Sequence, residues 1–101
     1  MYPLTMEEFT LFLFDKPADD RINHKDGWEY CAVGEFVANQ VRRSNGELAF
    51  RETLDEFITL LERHHGHIYD RLNEAPNYLD QLATYGELAE YCQTHKHERS
   101  N

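Results

Sequence analysis

The stretch TLDEFITLLERHHGH, residues 53–67, decides the fold class. Its Leu54, Phe57, Ile58, Leu60 and Leu61 return at intervals of three and four residues, the period of one helix face. Thr53 and Glu56 stand in the T-x-x-E pattern of a capping box. There the hydroxyl accepts from a free amide and the carboxylate reaches back to the cap amide. A third helix capped by Thr53 is therefore expected. It decays into His64, His65 and His67, with Gly66 as its C-terminal residue.

The same pattern recurs at Thr5/Glu8 and Thr84/Glu87, each followed by apolar residues at helical spacing. The first predicts a helix over 6–14. Phe9, Leu11, Phe12, Leu13 and Phe14 make it apolar nearly all round, so deep burial is expected. Pro17 ends it, because the residue before a proline avoids the helical region. Residues 16–27 read as a polar loop anchored by Ile22, with an Asp26-Gly27 turn. Trp28 to Arg43 reads as the second helix, with Tyr30, Val33, Val37 and Val41 on its stripe and Gly34 permitting close packing. Arg42 and Arg43 suit its C-terminal dipole, and Asn45-Gly46 stops it.

Leu48 to Phe50 reads either as a short extended piece or as a lead into the third helix. A short fourth helix holds Ile68, Tyr69 and Leu72, and Ala75-Pro76-Asn77 breaks the chain. Tyr78, Leu79 and Leu82 follow, then Tyr85, Leu88, Ala89 and Cys92. Thr84 either starts a new helix or sits inside a continuous one, with Gly86 marking a kink or break. The expected fold is mainly α: a compact bundle of four to five helices, with at most one short extended segment near 48–50. One helical domain spans 1–94, and 95–101 form a polar, frayed tail.

Composition narrows the function classes. A chain of 101 residues that is 41% hydrophobic is one folded domain, too apolar for disorder. No apolar run reaches the roughly 18 residues of a membrane span. Glu7 and Glu8, without a basic leader, argue against a secretory signal and for the cytoplasm. Cys31 and Cys92, far apart, are expected as reduced, buried thiols. Ser44 and Ser100 lie in a turn and a tail, outside any nucleophile motif, and no phosphate loop is present. The expectation is a protein that is not an enzyme and carries no cofactor.

Charge is the dominant global signal. Nineteen acids against ten bases give a formal charge of −9. Such a chain is repelled by nucleic acid and by anionic membranes, so the expected partner is a basic protein surface. Between Leu72 and His95 there is no Lys or Arg, while Asp80 and Glu87, seven apart, share a helix face with Glu90 one turn on. Glu52, Asp55, Glu56 and Glu62 form a second set on the third helix. Carboxylates at helical spacing can imitate the phosphates of a nucleic-acid strand. The candidate partner-binding residues are therefore Glu52, Asp55, Glu56, Asp80, Glu87 and Glu90. Glu7 and Glu8 are set aside because they serve the first helix cap. The plainer reading is that these acids are solvated faces that keep a small protein soluble.

Two other readings stand beside it. Tyr69, Tyr78, Tyr85 and Tyr91 are more tyrosine than a core needs, and tyrosine is enriched in interface centres, so a regulatory or adaptor surface is one alternative. His64, His67 and Asp70 are spaced by three, so a histidine-based metal site is the other. Gly66 breaks the helix between these histidines, and no H-E-x-x-H or C-x-x-C supports them. The simpler role for His64 and His65 is to close a helix end.

The chain resembles, as a class, the small acidic proteins that bacteriophages encode against host systems, including anti-CRISPR and other anti-defence proteins. The likeness rests on length, charge, helical content, two isolated cysteines and the lack of catalytic motifs. The stretch FLFDKPADDRINHKDGWEYCAVGEF is also similar to openings of uncharacterised phage and prophage proteins. The resemblance implies an inhibitor in the cytoplasm of a bacterial host that binds a nucleic-acid-handling complex, such as a CRISPR complex, and blocks its basic channel. It carries no motif that assigns individual residues.

Overall fold

The computed structural model describes residues 4–22, 32–73 (backbone alone at 71–73) and 84–95. The fold is mainly helical, as expected, with five helices among these residues: α1 (Met6–Phe14), α2 (Ala32–Arg43), α3 (Phe50–His64), α4 (Gly66–Asn73) and α5 (Tyr85–His95). The expected features at Asp26-Gly27, Trp28 to Cys31 and Ala75 to Leu82 lie outside the described residues. Helices α2, α3 and α4 pack as successive neighbours, and α1 packs most extensively on α5. Lighter contacts join α1 to α2 and α4 to α5.

The core centres on three phenylalanines from three helices. Phe9, Phe36 and Phe57 are fully buried, with ring centroids 5.3, 5.3 and 5.1 Å apart. Tilted and edge-on contacts at this distance add about 0.5–1.5 kcal/mol per pair beyond the burial itself. Leu13, Leu54, Leu61, Ile68 and Leu88 are buried in the same core.

The Thr5 cap forms as its sequence dictates: the Thr5 hydroxyl accepts from the Glu8 amide at 3.1 Å. The expectation that α1 is buried all round is not met. Met6, Phe9, Thr10 and Leu13 turn inward, whereas Leu11 is 64% exposed and Phe14 52%. The reason is geometric: among the described residues α1 packs chiefly on α5 and α2, with Phe9 reaching Phe57 of α3, and Leu11 and Phe14 point away from these helices.

The polar loop after α1 is tied to the start of α5. Ile22 is buried, as its anchoring role requires. Arg21 and Thr84 form an isolated antiparallel bridge. The Tyr85 amide donates to the Asp20 carbonyl at 2.9 Å, and the Gly86 amide to the Ala18 carbonyl at 3.0 Å. Gly86 therefore neither kinks nor breaks a helix. It sits in the first turn of α5, where a Cβ would lie 2.9 Å from both the Cβ and the carbonyl oxygen of Ala18. Lys16 fastens the same corner. Its ammonium pairs with Glu35 of α2 at 2.9 Å and lies over the rings of Phe12 and Tyr85 at 5.3 and 5.5 Å.

Asn45 and Gly46 end α2 in the left-handed region, at φ 53° and 95°. The buried Ser44 hydroxyl donates to the Val41 carbonyl and accepts from the Leu48 amide, which closes the turn. No extended segment forms at 48–50. Ala49 is the extended cap residue and Phe50 is already helical. Thr53 is thus not the cap of α3: it is buried one turn inside, its amide bonded to the Ala49 carbonyl at 3.0 Å. Starting the helix early lets Phe50 pack on the core, an apolar gain comparable with or larger than the roughly 1 kcal/mol of a threonine cap. At the other end, α3 stops at His64 and His65 caps it, while Gly66 opens α4 instead of closing α3. Thr94 and His95 belong to α5, with His95 stacked on Tyr91 at 4.0 Å.

Candidate functional site

The outward face of α3 carries the acids that its periodicity announces. Thr53, Leu54, Phe57 and Leu61 are buried, while Glu52, Asp55, Glu56, Thr59 and Glu62 are exposed along the opposite side. Positions three and four apart on a helix are neighbours, so these side chains share one stripe. From Glu52 to Glu62 the helix rises about 15 Å. Arg51 precedes the stripe and Arg63 closes it. Glu52 has a second role: in the first turn of a helix whose cap makes no side-chain bond, its charge complements the free amides.

The other candidate acids do not join this stripe. Glu87 and Glu90 are exposed on α5, which packs on α1 and α4, whereas α3 packs on α2 and α4. Glu87 completes the Thr84 cap: its amide donates to the Thr84 hydroxyl at 3.2 Å, and its carboxylate accepts from that hydroxyl at 3.0 Å. Glu87 thus serves a helix cap, the role that the sequence gives Glu7 and Glu8 at α1. Asp80 and Tyr78 lie outside the described residues.

The remaining tyrosines pack inward. Tyr85 is 6% exposed, so it is not a surface residue. Tyr69 and Tyr91 are half-buried against the core. The histidines are split between elements: His64 ends α3, while His67 and Asp70 lie in α4. The His64-to-His67 spacing is therefore not the spacing of one helix. Among the described residues no three His, Cys, Asp or Glu side chains converge as a metal site. His67 instead approaches His95 of α5, ring centroids 5.9 Å apart.

Cys92 is buried, and loss of solvent pushes its thiol up to about 12. In a Cys31→Ser background the folded protein should barely react with a thiol reagent at pH 8 and react fully once unfolded in urea. Fast labelling of the folded form would contradict the burial. The folded-state value lies above the unfolded one, so the stabilisation is complete below about pH 9 and fades as the pH rises towards 12.

An open groove of about 310 Å³ lies between α1 and α2. Leu11, Phe12 and Phe36 line it together with Glu8, Asp15 and Arg43. The apolar run Phe9 to Phe14, interrupted only by Thr10, gives no hint of which side stays in water, so this surface emerges only from helix packing.

No protein-family model, curated protein or solved structure matches this chain. No helix among the described residues is long and apolar enough to cross a membrane.

Proposed function

We propose that this protein is a non-enzymatic inhibitor that binds a basic, nucleic-acid-binding protein surface through the acidic face of α3. The stripe from Glu52 to Glu62 carries this reading: four exposed carboxylates over about 15 Å. A nucleic-acid strand carries one phosphate per roughly 3.4 Å, or about four over the same length. A basic groove built for a strand meets a similar line of charge on α3. The formal charge of −9 adds long-range attraction, which acts chiefly on association rate and specificity. The side chains suited to nucleophilic chemistry also favour binding over catalysis. Cys92 is held as a buried neutral thiol, and the Ser44 hydroxyl is committed to Val41 and Leu48. The class this sequence resembles, phage-encoded anti-defence proteins, supplies the setting: a defence or other nucleic-acid-handling complex of a bacterial host.

The test is capture from nuclease-treated bacterial lysate, washed at about 0.1 M and about 1 M salt, where the screening length falls from about 10 to about 3 Å. Nucleic-acid-binding proteins should be retained at low salt and released at high salt. The triple variant Asp55→Asn/Glu56→Gln/Glu62→Gln, which spares the Glu52 charge at the helix start, should lose them while melting like the parent. Equal capture by the triple variant would reject the α3 face as the binding surface.

A further inference from the structure

We propose a second recognition surface: the exposed face of α1 with its groove against α2, which docks a basic amphipathic helix of another protein. The face repeats at helical spacing. Glu7 and Glu8, then Leu11, then Phe14 and Asp15 follow one another along the side of α1 that none of the other described helices covers. Leu11 and Phe14 are the large apolar side chains left exposed among the described residues, and they are one turn apart. Acids flank them at both ends. This is an apolar centre with a charged rim, the anatomy of a specific interface.

Charge selects the occupant. A second copy of this chain would bring another formal −9 and its own Glu7, Glu8 and Asp15 against the same rim. A partner with leucine-like residues on one face and lysine or arginine beside them satisfies both parts. Its apolar side chains cover Leu11 and Phe14 and enter the groove beside Phe12 and Phe36. Its cations reach Asp15 and the carboxylate of Glu8 on the α1 wall, since only the backbone amide of Glu8 bonds the Thr5 cap. Arg43 on the α2 wall repels cations, so the surface also sets which way round the partner lies. Amphipathic helices bind grooves in this manner through anchors three and four residues apart. The α1 helix is about 13 Å long, which matches two to three turns of such a partner.

The probe is a fluorescein-labelled leucine–lysine amphipathic peptide of about 15 residues, long enough to become helical on contact. Its controls are the leucine–glutamate counterpart and a lysine–serine peptide of the same charge. Anisotropy should show binding of the leucine–lysine peptide alone. Leu11→Ser/Phe14→Ser should weaken it about tenfold or more, since truncating central apolar anchors has effects of that size. Both positions are exposed, so the variant should melt like the parent. The α3 triple variant should bind the peptide within about twofold of the parent, because none of its three positions lines the groove. This separates the proposal from the α3 reading. Unchanged affinity in the Leu11/Phe14 variant would overturn it, as would equal binding of the lysine–serine peptide. A concentration-dependent dimer of the native chain in sedimentation, lost in that variant, would overturn it in favour of a second copy.

Discussion

Phe57→Ala is expected to cost about 3–5 kcal/mol, the range for truncating a fully buried phenylalanine. The ring contacts Phe9 of α1 and Phe36 of α2 at 5.3 and 5.1 Å, so its loss opens a cavity where three helices meet. A domain of this size has a total stability of about 5–15 kcal/mol, so the variant sits near the edge of unfolding. Urea titration followed by far-ultraviolet circular dichroism would read it as a fall in midpoint with an unchanged slope. A loss below about 1 kcal/mol would mean that Phe57 is not in a closely packed core.

Gly86→Ala is the second large effect, and here the sign is the test. Helix propensity alone predicts a gain approaching 1 kcal/mol for alanine over glycine. Packing predicts the opposite. The new Cβ would lie 2.9 Å from the Ala18 carbonyl oxygen, and that oxygen already accepts the Gly86 amide. Backbone must move, and overpacking of this kind costs about 1–3 kcal/mol. A lower melting temperature is therefore expected, by roughly 4–8 °C per kcal/mol lost. Adding Ala18→Gly removes the Cβ contact but leaves the carbonyl, so recovery should be partial. A rise in melting temperature for the single variant would show that the 18–21 loop does not press on α5 as closely as described.

The contrast between these residues explains what the sequence revealed. Phe57 was legible because periodicity reports directly on which side of a helix is buried. The bounds of α1 and the caps at Thr5 and Thr84 were legible because they are local chemistry. Gly86 was misread because its reason is a backbone 68 positions away in sequence, and no local pattern encodes that. Thr53 failed for a related cause: a capping motif competes with the burial of Phe50, and the tertiary core decides. The acidic stripe of α3 and the separate placing of Glu87 and Glu90 on a later helix were legible as spacing, whereas the neighbours of each helix are set by packing. Leu11 and Phe14 were the largest surprise, since hydropathy assigned both to the interior.

The pairing of α1 with α5 bears on how the chain is made. The ribosome delivers α1 well before α5, yet α1 packs more on α5 than on α2. Sequence-local docking can assemble α2, α3 and α4 as they emerge, whereas the inward face of α1 waits for α5, some seventy residues later. Until then Phe9 and Leu13 lack part of their cover, and any factor that shields nascent apolar segments would find its first substrate there. A premature stop before Thr84 would strand that face permanently, giving a product fit for degradation, not a smaller working domain.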